Sequence, residues 1–104
     1  MGRKAVKIGM AFSDRELLAR LVQCEAGGEG DNGMRAVASV VMNRVRSPRF
    51  PNTVRDVVYA PGQFSPVRTK SAKMTSLIQN GASAQCVQAA KQALGGIDNV
   101  GGRF

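Results

Sequence analysis

Apolar residues along the chain fall into short helical stripes separated by glycine and proline turns. Ser13-Asp14-Arg15-Glu16 carries the signature of a helix start, with Ser13 as N-cap and Glu16 three residues on. The helix that follows places Leu18, Leu21, Val22 and Glu25 at steps of three, one and three, which is one helical face. A carboxylate therefore continues an apolar stripe. Gly27-Gly28-Glu29-Gly30-Asp31-Asn32-Gly33 is expected to stop this helix and form a mobile acidic loop. Asn32 is placed to cap a second helix, Gly33 to about Arg46. Its Met34, Ala36, Val37, Ala38, Val40, Val41 and Met42 make it apolar nearly all round, the pattern of a central, buried helix.

Ser47-Pro48 ends the second helix, because the residue before proline disfavours helical backbone. After a turn at Phe50-Pro51-Asn52, Thr53 caps a short helix bearing Val54, Val57 and Val58, with Asp56 at the capping-box position. Tyr59-Ala60-Pro61-Gly62 is a further turn, from which Gln63-Phe64-Ser65 emerges. Residues 68–81 read as loop with a helical turn around Met74 to Ile78. Ser83 caps a last helix with Val87, Ala90 and Leu94 on one face, and Gly95-Gly96 terminates it. The tail, Ile97 to Phe104, is read as the start of a strand. The boundaries drawn are a basic leader over 1–12 and one small domain over 13–104.

Composition narrows the chemistry. The 104 residues fit a single domain. No apolar run reaches the roughly 18 residues of a membrane span. The basic start is not followed by an apolar stretch, so it does not read as a signal peptide. The chain is then either cytoplasmic or a domain excised from a longer protein. A net charge of +8 suits a polyanionic partner. Nucleic acid is disfavoured, because the basic residues are scattered and aromatic stacking residues are few: one tyrosine, four phenylalanines, no tryptophan. Histidine is absent. That removes the usual zinc ligands, the Cys-His couple and the Ser-His-Asp triad. Cys24 and Cys86 have neither metal nor redox spacing and read as small buried residues, with a disulfide as the alternative. No metal and no cofactor are expected.

Acid/base work then falls to carboxylates. Asp14, Glu16 and Asp56 lie in helix first turns, where the helix dipole accounts for them, and Asp98 lies in a glycine-rich tail. Glu25 has no such explanation. A carboxyl on an apolar face loses hydration, which favours the protonated form that a general acid requires. The alternative is a buried ion-pair partner for a basic residue such as Arg44. Glu29 and Asp31 are candidates for a second carboxylate, since water-using glycosidases employ two; they read equally well as solvated loop charges.

Leu17-Leu18-Ala19-Arg20-Leu21-Val22-Gln23-Cys24-Glu25-Ala26-Gly27-Gly28-Glu29-Gly30 resembles the opening of the spore cortex-lytic, SleB/CwlJ-type cell wall hydrolase family, a leucine-rich helix running into Glu-Ala-x-Gly-Glu. The resemblance continues through Gly33, Ala36-Val37-Ala38, Val40-Val41-Met42-Asn43-Arg44-Val45, Phe50-Pro51-Asn52-Thr53, Val57-Val58-Tyr59 and Gly62-Gln63-Phe64-Ser65-Pro66-Val67. It is close over 14–67 and looser over 83–96. It implies an α+β, mainly helical, lysozyme-like (lytic-transglycosylase-like) small domain whose C-terminal sheet region is cut short at Phe104. It also implies cleavage of peptidoglycan between N-acetylmuramic acid and N-acetylglucosamine, at the cell wall or spore cortex. By the same resemblance Glu25 is the catalytic acid/base. Glu29, Tyr59, Gln63, Phe64 and Ser65 are substrate-binding, with Phe64 stacking on a sugar or packing. A lytic transglycosylase needs one carboxyl, because the nucleophile is the substrate's own C6 hydroxyl. The competing readings are a non-catalytic basic wall-binding module and a basic nucleic-acid-binding domain.

Overall fold

The computed structural model describes residues 12–60 and 81–104. Within them lie four helices: α1 (Asp14–Ala26), α2 (Gly30–Val45), α3 (Val54–Tyr59) and α4 (Ala84–Leu94). Three of them begin at the predicted caps. Ser13 Oγ accepts from the Glu16 amide at 3.1 Å, Thr53 Oγ1 from the Asp56 amide at 3.1 Å, and Ser83 Oγ from the Cys86 amide at 3.2 Å. Each such cap is worth about 1 kcal/mol. The box at Ser13 is only half closed, because the Glu16 carboxylate turns to Arg20 instead, at 2.8 Å.

α1 is the most enclosed element. Leu17, Leu18, Ala19 and Val22 have no exposed surface, and Leu21 and Ala26 are buried with them. These six positions cover most of the helix circumference, so α1 is walled by neighbours, touching α2, α3 and α4. α3 and α4 lie on different sides of this pair and do not meet. Ahead of α1, Phe12 packs on the core under the Arg20 guanidinium (4.3 Å), and its carbonyl accepts from Arg55 Nη2 at 3.0 Å.

The structure corrects four sequence expectations. α2 starts at Gly30, not Gly33, and the acidic loop shrinks to a turn over 27–29. Gly30 takes a φ of 82°, a left-handed value that glycine adopts without strain, so the chain reverses at once. Asn32 consequently lies inside the helix and caps nothing. Second, α2 is not buried all round: Met34, Ala38, Val41 and Met42 face the core, while Ala36, Val37 and Val40 are half-buried. The central helix is α1, since α2 keeps one side for the tail. Third, α4 buries Cys86, Ala89, Ala90 and Ala93, whereas Val87 and Leu94 sit at the margin. Small residues at steps of three, one and three let the α4 backbone come close to its neighbours, which larger side chains would hold off.

The fourth correction concerns the tail. Residues 97–104 form turns, and no strand occurs among the described residues. Asp98 organises them. Its Oδ1 accepts from the Val100 amide at 2.9 Å, and its Oδ2 from the Gly102 amide at 2.7 Å and from Asn43 Nδ2 at 3.3 Å. Asn43 Nδ2 also donates to the Arg103 carbonyl at 3.0 Å. The Asn99 amide donates to the buried Ser39 hydroxyl at 3.2 Å, and its side chain to the Asn32 carbonyl at 3.3 Å. Two backbone amides, Val100 foremost, hold the Asp98 carboxyl below the usual aspartate range, with Asn43 and the charge of Arg46 adding to the effect.

A carboxyl whose pKa is lowered by folding stabilises the fold above its unfolded pKa of about 3.9, and that stability is lost as pH falls through the folded value. Melting temperature followed from pH 6 down to 2 should therefore drop in the acid limb. Asp98→Asn should lower the neutral-pH value and flatten that limb. An unchanged acid limb in the variant would show that the Asp98 turn contributes nothing to it.

Candidate active site

Glu25 stands in the last turn of α1, half-buried, one residue before the buried Ala26. The helix ends because Gly27, as C-cap, sends its amide back to the Gln23 carbonyl at 3.1 Å, and the Glu29 amide closes the turn on the Ala26 carbonyl at 3.0 Å. Gly27 stays in the right-handed helical region, at φ −59°. Burial of the helix thus carries a carboxyl out of the core to the point where the chain turns.

Glu29 is the N-cap residue of α2, but its side chain makes no capping hydrogen bond. It is exposed and folds over Gly33, where an added Cβ would stand 2.9 Å from Glu29 Cβ and 3.5 Å from Oε1. Negative charge at this end of α2 is favoured by the helix dipole. Asp31, in the same first turn, pairs with Arg35 at 3.7 Å across an exposed surface, an interaction of little energetic weight.

Tyr59 ends α3 and is only 7% exposed, so most of its ring belongs to the core. Burial pushes its hydroxyl pKa up, partly opposed by the charge of Arg55. Arg44, in the last turn of α2, stacks over the Phe50 ring at 5.3 Å, and burial lowers its guanidinium pKa. The described residues enclose no pocket. Gln63, Phe64 and Ser65 lie outside the described residues, as do the stretch over 68–80 and the leader over 1–11. The structure thus locates Glu25 and Glu29 on either side of one short turn and Tyr59 at the end of α3.

Sequence reasoning missed Gln23, Asn43 and Asp98. The Asp98 turn had a signal: Asp followed by Val100 and Gly102 amides in a glycine-rich run is the composition of a side-chain-to-backbone turn. Gln23 had a weaker one, a polar residue four positions before a glycine. Asn43 had none beyond its place in the resembling block. Both cysteines carry free thiols; Cys86 is buried and Cys24 half-buried.

The helical fold has a counterpart among solved structures, and the sequence matches a known class of protein. A family model described as Cell Wall Hydrolase matches residues 28–104, and the chain belongs to that family. The match begins just after Glu25. A spore cortex-lytic enzyme of Halalkalibacterium halodurans is 36% identical over 101 residues, covering 95% of this chain and 29% of that protein, an alignment long enough to take in Glu25 and Glu29. The spore cortex-lytic enzyme of Bacillus subtilis is 44% identical over 59 residues, covering 57% of this chain and 19% of that protein. Among solved structures, the catalytic domain of the Bacillus cereus SleB protein superposes with a TM-score of 0.70 at 35% identity, covering 86% of this chain and 65% of that one. The chain spans less than a third of the length of these two spore cortex-lytic enzymes.

The contact between Glu29 and Gly33 yields a test. Replacing a glycine within a helix by alanine ordinarily stabilises by about 1 kcal/mol. At Gly33 the new methyl group meets Glu29 Cβ at 2.9 Å, so Gly33→Ala should give no such gain in a denaturant titration. A clear gain would mean that Glu29 is free to leave its seat.

Proposed function

We propose that this chain cleaves the glycan strand of peptidoglycan between N-acetylmuramic acid and N-acetylglucosamine, as a lytic transglycosylase with Glu25 as its single acid/base. The observation that carries the reading is Glu25 itself: a half-buried carboxyl at the end of the most enclosed helix, inside the Glu-Ala-x-Gly-Glu block. Supporting it are membership of the cell wall hydrolase family and the likeness to the SleB catalytic domain. The site of action would be the spore cortex or the vegetative wall, with residues 13–104 forming a lysozyme-like catalytic domain.

In this mechanism protonated Glu25 donates its proton to the glycosidic oxygen as the bond from C1 of the muramic acid breaks. The resulting carboxylate then accepts the proton of that sugar's C6 hydroxyl, whose oxygen bonds to C1. The products are a 1,6-anhydromuramic end and a free C4 hydroxyl on the departing N-acetylglucosamine, and Glu25 returns to its protonated state. No water is consumed, so no second carboxylate is required. Glu29 would orient substrate from the rim, and Gln63, Phe64 and Ser65 would contact the sugars. Tyr59 is buried down to its hydroxyl oxygen and would line the site from within the core.

Mass spectrometry of purified cortex peptidoglycan after digestion should find 1,6-anhydromuramic ends. Reducing muramic ends would make the protein a water-using muramidase, and free stem peptides would end the glycosidase reading. Glu25→Gln keeps the shape and cannot cycle a proton, so turnover should fall by about 10²- to 10⁴-fold with the fold retained. Near-normal turnover in that variant would reduce Glu25 to a buried ion-pair partner.

A further inference from the structure

The last turn of α1 lacks the devices that usually secure a helix end. It has no basic residue to complement the dipole, and its C-cap glycine is right-handed, without the reversed conformation that satisfies the final carbonyls. Beyond the two backbone bonds that close the turn, a side chain pointing elsewhere ties it to the rest of the fold. Gln23 Oε1 accepts a hydrogen bond from the Ser83 amide at 2.9 Å, across 60 residues of chain. The Cys86 thiol approaches the same oxygen at 3.5 Å and faces Met34 Sδ at 3.8 Å on its other side. Ser83 is the N-cap of α4, so one amide oxygen ties the end of α1 to the start of α4. Gly27 makes room for this: a Cβ there would collide with the Gln23 side-chain nitrogen and stand 2.6 Å from the Gln23 carbonyl.

Gln23 and Glu25 are two residues apart, roughly 200° around a helix of 3.6 residues per turn, so they point to nearly opposite sides. Gln23 cannot share substrate contacts with Glu25; it grips the turn from behind. We infer that Gln23 is a positioning residue, which fixes the turn bearing Glu25 by bonding it to the α4 cap, an inference that rests on the catalytic reading of Glu25. The Gln23–Ser83 bond sets the rotation and height of the α1 end, and Gly27 keeps the space that the bond requires.

Two substitutions and two readouts test it. Gln23→Leu keeps the bulk and removes the acceptor. Gln23→Glu keeps the acceptor, and its charge suits the N-terminus of α4. Rates are measured on purified spore cortex peptidoglycan and expressed per folded molecule, with the folded fraction taken from circular dichroism at the assay temperature. Hydrogen exchange of the amides at 24–28 and at Ser83 reports the tether without reference to activity. Gln23→Leu should exchange faster at those amides and lose about tenfold in kcat with KM unchanged, since small misplacements of a catalytic group cost rate and not binding. Gln23→Glu should restore both. Unaltered exchange in Gln23→Leu, a wild-type kcat per folded molecule, or failure of Gln23→Glu to restore either readout would overturn the proposal. Wild-type turnover in Glu25→Gln would remove the catalytic reading and this role together, and the exchange data would still report whether the tether exists.

Discussion

Enclosure of α1 is the constraint on which the rest of this small fold depends. A chain of 104 residues has little core to spend. Here most of it is gathered around one helix whose leucines and valine are sealed on several sides at once. Burying such a side chain contributes about 1.5–3 kcal/mol. Each other helix presents a face to α1, and α3 and α4 also rest on α2. At the end of this helix stands the half-buried Glu25. For the acid/base role proposed for Glu25, a helix is a more accurate support than a loop would be.

The polar contacts around this core are arranged by distance in sequence. Local side-chain caps start α1, α3 and α4. Long-range hydrogen bonds then fasten what apolar burial leaves loose: Gln23 to Ser83, Asn43 to Asp98 and the Arg103 carbonyl, Arg46 Nη2 to the Ala93 carbonyl at 3.3 Å, and Ser39 to Asn99. Surface ion pairs contribute little here. Among the described residues, Glu16 with Arg20 and Asp31 with Arg35 link positions four apart on the same helix.

Helix caps and helical stripes were legible in the sequence because they are local: Ser13, Thr53 and Ser83 each announce a helix within three residues. The stripe of Leu18, Leu21 and Val22 was legible for the same reason, and all three are buried. What failed was comparative. Hydrophobicity ranked α2 above α1 as the central helix, yet alanines and serines on α2 and α4 are placed for close approach, and the larger residues of α1 fill the space between. On α4, Val87 and Leu94, read as one face with Ala90, pack at the margin of the core while the alanines take its centre. The start of α2 was missed because a positive φ at Gly30 is a three-dimensional solution that Asn32, an attractive cap on paper, gave no hint of. The tail was misread because the Asp98 side chain draws the backbone amides of Val100 and Gly102 to itself, which leaves turns where a strand was expected.

Cys86 has a consequence of a different kind. Its thiol has no exposed surface and sits between Gln23 and Met34, at the seam where α4 lies on α1. A thiol buried in this way does not react while the seam is closed. Alkylation of Cys86 thus becomes a clock for the lifting of α4 from the central helix, built into the native sequence and needing no engineered label. With Cys24 half-buried on α1 itself, the two thiols should modify at separable rates, one following motion near the helix end and the other the parting of the helices.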